Sequence, residues 1–242
     1  KEGSLAHFWV VDPTDAYSYE IEGALSVISD HAYWYLDRNV ETGLVKEIQQ
    51  AADGFEDGIR PALVSAFGDL RALSEGGDEH FTVLNTPLRG ILGYYSATNE
   101  YPRSISPYSN EAQIIYIDPL KSRPGGAKYM SALAHEFQHA VHWSADPGEE
   151  AWVNEGMSEM AEDLVTGRIS SISHFLTNSD VQLNYWPANI ELTGPHYGAS
   201  ALFFTYLAKR LEGDETLRDL VREPTDGIDG IDVYMSRYGL SF

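Results

Sequence analysis

Five residues, His135-Glu136-Phe137-Gln138-His139, constrain this chain more than any other feature. The two histidines stand four apart, and four residues turn an α-helix by about 400°, so both imidazoles leave the same face within ~40° of each other. Two ring nitrogens placed this way can bind one metal ion. Glu136 follows the first histidine, pointing to the same side but off the metal axis, where a carboxylate can reach an attacking water. The flanking Leu133, Ala134, Phe137, Ala140 and Val141 make an apolar face, so the expected helix is buried beside its own polar pair. Two histidines and a glutamate would otherwise be a costly way to fill a core.

A catalytic metal needs a third protein ligand and one open position. The candidates follow in AWVNEGMSEMAEDL, residues 151–164. Glu155 comes sixteen residues after His139, which suits a helix, a tight turn and a second helix returning across the site. Glu159 and Glu162 share the helical face of Glu155, and Glu162 reads most simply as part of a solvated acidic face. His142, three residues beyond His139, is either a further ligand or a supporting or surface histidine.

The rest of the chain reads as strands first and helices later. Short β-rich runs are expected at His7–Val11, Tyr19–Ile28 and Ala32–Leu36. A long amphipathic helix follows from about Glu41 to Phe67, its core stripe made by Leu44, Ile48, Ala52, Phe55, Ile59 and Leu63, with Pro61 placed to kink or split it. Leu73–His80 reads as a loop. Strands are expected again at Phe81–Leu84, Ile91–Ala97 and Ala112–Ile117, and helices at Lys128–Trp143, Glu149–Thr166 and Tyr197–Leu211, with a mixed loop over Gly167–Pro195. This order predicts an α+β fold: an N-terminal mixed β-sheet lobe with a long helix, a helical C-terminal lobe and a zinc site in the cleft between them. The whole of 1–242 is expected to be one catalytic domain, β-rich over 1–125 and helical over 126–242.

Composition excludes several classes. The chain carries 37 Asp and Glu against 16 Lys and Arg, a net charge of -21. Nucleic-acid binding wants a basic patch, and this sequence offers none. No apolar run is long enough to span a membrane, and no membrane insertion is expected. There are no cysteines, so thiolate zinc ligands, disulfides and a cysteine nucleophile are all ruled out. Asp53, Asp57, Asp69, Asp78 and Glu79 are candidates for a Ca²⁺ site, since hard cations take carboxylate oxygens. His7, His31, His80 and His174 lack ligand spacing and read as structural.

HEFQH followed by WVNEGMSE resembles the gluzincin zinc peptidases. HAYWYLD, GILGYYSATNEYP, NEAQIIYIDP, LAHEFQHAVHW and HYGASALFFTYLAKRL make the chain similar to the hyicolysin family of secreted bacterial neutral metallopeptidases, over roughly Phe8 to Phe242. The resemblance implies Zn²⁺ held by His135, His139 and Glu155, Glu136 as general base, and Glu159 hydrogen-bonded to the first histidine. It implies that Tyr197 or His196, adjacent at the start of a late helix, steadies the charge developing on the substrate carbonyl. It also implies an edge strand, Gly93, Tyr94, Tyr95, Ser96 and Ala97, that pairs with the substrate backbone. Metzincin spacing would put Gly at 142 and His at 145, where this chain has His142 and Ala145.

The resulting expectation is a secreted, monomeric zinc endopeptidase acting on protein or peptide substrates. An aminopeptidase is disfavoured because no Gly-Ala-Met-Glu-Asn-like segment precedes the zinc motif. A non-catalytic binding module on the same fold is disfavoured because Glu136 and the ligands are intact. Hyicolysin-like chains run on past the point where SRYGLSF stands, so a C-terminal continuation is expected as well.

Overall fold

The computed structural model describes residues 1–12, 15, 17–40, 42–71, 73, 77–211 and 215–242. Residues 74–76 of the expected Leu73–His80 loop and residue 41, where the long helix is expected to start, lie outside the described residues. By internal packing the chain divides into two compact units, Lys1–Pro61 with Ala72–Ala140, and Ala62–Arg71 with Val141–Phe242.

The first unit is built on a mixed sheet. Its strands are β1 (Leu5–Val11), β2 (Ser18–Ile28), β3 (Ala32–Asp37), β4 (Phe81–Asn85), β5 (Gly93–Tyr95) and β6 (Ile114–Ile117), in the order β1-β2-β3-β4-β6-β5. β1, β2 and β3 run antiparallel, β3-β4 and β4-β6 are parallel, and β5 returns antiparallel against β6. β2 alternates buried and half-buried residues, whereas β4 and β6 are buried at every position. Continuous burial is what a central parallel strand covered on both faces requires.

One face carries the cluster Phe8, Val10, Ile21, Leu84, Leu88, Ile114 and Tyr116. On the other, the rings of Phe55, Phe81 and Phe137 pack with centroids 5.2 to 5.4 Å apart, and Trp34 reaches Phe55 at 6.2 Å. Phe55 lies in the expected long helix, which forms in three pieces: α1 (Val45–Gly54), a π-helical turn (Phe55–Ile59) and α2 (Arg60–Phe67). Pro61 has no amide to donate, and the strain is taken up just before it, where Arg60 N–H bonds back to Phe55 C=O five residues earlier. Pro61 thus reshapes the helix without ending it. Ile48, Ala52, Phe55, Ile59 and Leu63 are all buried as the stripe predicts, while Leu44 is only half-buried.

α3 (Ala127–Ala145) is one uninterrupted helix. Tyr129 in its first turn donates to Asn85 Oδ1 at 2.6 Å, and Asn85 Nδ2 donates to Tyr35 C=O at 3.0 Å, so the helix is pinned to the ends of β3 and β4. Asp118 orders the turn after β6 by accepting the N–H groups of Leu88, Leu120 and Lys121.

The second unit is helical: α4 (Ala151–Thr166), α5 (Ile172–Thr177), α6 (Gly194–Leu211), α7 (Thr216–Val221) and α8 (Gly227–Ser236). α4 ends on Gly167 in the left-handed conformation, φ 65°, a common helix stop. Trp152 of α4 packs on Phe203 and Phe204 of α6, with centroids at 5.7 and 5.8 Å. The expected loop over Gly167–Pro195 contains α5 and a 3-10 turn at Ile190–Leu192. Among the described residues no helix is long and apolar enough to cross a membrane.

Because Phe55 touches three other rings and is fully buried, Phe55→Ala should lower unfolding free energy by about 3–5 kcal/mol. Urea unfolding followed by tryptophan fluorescence measures this.

Candidate metal centre

Burying the apolar face of α3 fixes the rotation of the helix. Leu133, Ala134 and Phe137 are fully buried, and Ala140 and Val141 nearly so. His135 and His139 then stand together, ring centroids 4.8 Å apart and planes at 78°. His135 and Glu136 each retain 8% exposure. The ligand atoms offered by His135, His139 and Glu155 all lie within 4.8 Å of one another, the spread that one metal ion can bridge. These are the three residues expected to be ligands. Two imidazole nitrogens and one carboxylate oxygen are a borderline donor set, suited to Zn²⁺ with a fourth position left for water or substrate.

Glu159 is buried, 5% exposed, and accepts the hydroxyl of Ser171 at 2.5 Å through Oε2. Ligand atoms of His135, Glu159 and Glu162 also lie within 4.8 Å of one another. This is a second candidate grouping around the same histidine. Glu162, expected on a solvated face, is half-buried in this group. Its distinction from an ordinary surface acid depends on tertiary placement, which helical spacing alone does not reveal. His142 is fully buried, so it is not a surface histidine, and among the described residues it belongs to neither group.

β5 supplies the second element of the site. It occupies the sheet edge beyond β6. Asp118 N–H donates to Leu92 C=O at 2.8 Å, which sets the phase of the ladder. Leu92 and Tyr94 turn their backbone groups toward β6, and Gly93 and Tyr95 turn theirs toward the outer edge. The same alternation sends the Tyr94 ring to the opposite face of the sheet, where it stacks on Tyr116 at 4.2 Å and its hydroxyl accepts the Val11 N–H at 3.0 Å. Burial raises the Tyr94 phenol well above its usual range, against the pull of its bond from the Val11 N–H. Gly93 faces Glu136: a Cβ built there would lie 3.3 Å from Glu136 Cγ, 3.4 Å from its Oε1 and 2.9 Å from the Tyr116 carbonyl oxygen. Only a residue without a side chain lets the strand pass this close to the carboxylate.

Tyr95 donates to Glu100 at 2.5 Å, and burial followed by the Glu100 charge raises its phenol well above the usual range. Ser96 and Ala97 fall outside β5: the expected strand over Ile91–Ala97 narrows to Gly93–Tyr95, and Ala97–Glu100 turns into a 3-10 helix. There the Asn99 N–H bonds the Ser96 carbonyl in a tight turn. This leaves Gly93 and Tyr95 as the edge residues with outward backbone.

His196 and Tyr197 lie in the first turn of α6, where both N–H groups bond the Thr193 carbonyl. His196 is 6% exposed, and its buried Nδ1 has no hydrogen-bond partner. Tyr185 and Trp186 pack edge-on against its ring at 5.7 and 6.1 Å, and Trp186 meets Tyr197 at 4.8 Å. The only local signal for these two aromatics is an adjacent Tyr-Trp pair inside a polar loop. Asp53, Asp57, Asp69, Asp78 and Glu79 belong to neither ligand group among the described residues. Asp78 instead pairs with Tyr33 and His80, and these bonds hold its carboxyl down at about 2.

No protein-family model matches the chain, and no curated protein matches it.

Removing a carboxylate that supports a ligating histidine costs about 10–100-fold in metal affinity. Glu159→Gln should weaken Zn²⁺ binding by that factor while the protein stays folded, as read by competition with a chromophoric chelator.

Proposed function

We propose that the chain is a zinc-dependent endopeptidase of gluzincin type. The observation that carries this is the convergence of His135, His139 and Glu155 within 4.8 Å, with Glu136 beside the sheet-edge residue Gly93. A zinc ion held by those three residues would supply a Lewis acid that acidifies the attacking water and polarises the scissile carbonyl. An extended substrate lies along β5, bonded to the outward N–H and C=O groups of Gly93 and Tyr95, which gives affinity with little demand on substrate sequence. Glu136 takes the proton of the water and passes it to the departing amine. Tyr197 or His196 donates to the carbonyl oxygen as negative charge develops there. Glu159 keeps the ring of His135 in its ligating orientation.

The finer expectations belong to this proposal: a cleft between β-rich and helical parts that holds the zinc, membership of the hyicolysin family, a single catalytic domain, secretion and a monomeric state. The comparison with that family rests on the quoted segments alone, and the grouping of His135, His139 and Glu155 supports the peptidase chemistry independently of it.

Two predictions test the reading, both with casein as substrate. Glu136→Gln should retain one Zn²⁺ per chain and lose about 10²–10⁴-fold in kcat, the range for a lost general base. Full activity in this folded, zinc-loaded variant would defeat the proposal. Tyr197→Phe and His196→Asn should separate the two donor candidates. The one that acts on the developing charge loses about 10²–10³-fold in kcat with KM little changed.

A further inference from the structure

Ser171 opens α5, and a serine in that position ordinarily turns its hydroxyl back onto the first N–H groups of its own helix. Here the side chain makes no cap bond to α5. The start of the helix is closed instead by the Ser171 carbonyl, which accepts the N–H groups of His174 at 2.9 Å and Phe175 at 3.3 Å. The hydroxyl leaves the helix and donates to Glu159 Oε2 of α4 at 2.5 Å, twelve residues back in the chain. Both ends of this bond are buried, Ser171 at 7% and Glu159 at 5% exposure. Its length is that of a hydroxyl donating to a charged carboxylate. The donor is also held from α6. A Cβ built on Gly198 would lie 2.5 Å from the Ser171 carbonyl oxygen and 2.7 Å from Phe175 Cβ. Only glycine lets α6 approach this closely, so the Ser171 peptide is seated on α6 while its hydroxyl reaches α4.

Glu159 stands one turn after Glu155 on the same face of α4, and one of its carboxylate oxygens groups with His135 and Glu162. The Ser171 bond ties down one of the two acids in that group. We propose that Ser171 is a positioning residue of the metal centre, its hydroxyl fixing the Glu159 carboxylate in the orientation that steadies His135. This rests on the reading proposed above, in which His135, His139 and Glu155 hold zinc and Glu159 supports His135. It goes beyond that reading by placing the anchor of Glu159 at the start of α5 and, through Gly198, on α6, the helix that carries His196 and Tyr197. A glutamate side chain loses rotamer freedom when it is fixed. A carboxylate already held at one oxygen by a rigid donor has less of that freedom to lose when the metal arrives. Ser171 touches neither metal nor substrate, and its effect reaches the metal only through Glu159.

The test is Zn²⁺ affinity, read by competition with a chromophoric chelator, with folding checked by circular dichroism. Ser171→Ala should weaken binding by about 3–10-fold, the net worth of one hydrogen bond. Ser171→Thr keeps the hydroxyl and should bind as the wild type does. The double variant Ser171→Ala, Glu159→Gln should bind no more weakly than Glu159→Gln alone, because the two changes break one chain of contacts. If Ser171→Ala does not fold, Ser171→Val against Ser171→Thr, alike in shape and different in the hydroxyl, carries the same comparison. Additive losses in the double variant, equal affinity in Ser171→Thr and Ser171→Val, or unchanged affinity in Ser171→Ala would overturn the proposal. In a wild type that binds zinc, those results leave the ligand set standing. A wild type that binds no zinc defeats the ligand set and the role of Ser171 together. None of these outcomes depends on peptide cleavage.

Discussion

The site depends on how α3 is buried. Its apolar side, Leu133, Ala134, Phe137, Ala140 and Val141, is taken into the core, and Phe137 locks against Phe55 and Phe81. Once that face is buried, the helix has no rotational freedom, and His135, Glu136 and His139 are fixed in direction as a consequence of packing. The polar anchor between Tyr129 and Asn85 fixes the helix along its axis as well. Hydrophobic burial thus positions the residues proposed for catalysis, and their side chains need little ordering when metal or substrate arrives.

The sheet contributes through its topology. β6 is central and buried at every residue, and β5 lies on its outer side. The alternation that commits Tyr94 to the far face turns Gly93 toward Glu136 and exposes the backbone of Gly93 and Tyr95 at the edge. An unpaired edge is a hazard for a soluble sheet. A three-residue strand closed off by a 3-10 turn limits that hazard while leaving a short template for an extended peptide.

The residues with strong local signatures could be read directly. HEFQH and the glutamate of WVNEG point to residues whose candidate ligand atoms the fold brings together, and the stripe from Ile48 to Leu63 points to the packed face of the long helix. Features set by distant partners could not be read in this way. The π turn before Pro61 is one, since periodicity alone does not distinguish five-residue from four-residue bonding. The short length of β5 is another, because Ser96 and Ala97 leave the strand for a turn closed by Asn99. Glu162 is a third kind, defined by its tertiary grouping with His135 and Glu159 although its local sequence looks like solvated surface.

The most direct measurement of the central claim is X-ray absorption at the zinc K edge on the purified, zinc-loaded protein. Two imidazole nitrogens at about 2.0–2.1 Å, a carboxylate oxygen and one further light ligand are predicted, with the imidazole signal halved in His139→Ala. Substoichiometric zinc, or a wild-type spectrum with fewer than two imidazoles, would contradict the ligand set on which the account rests.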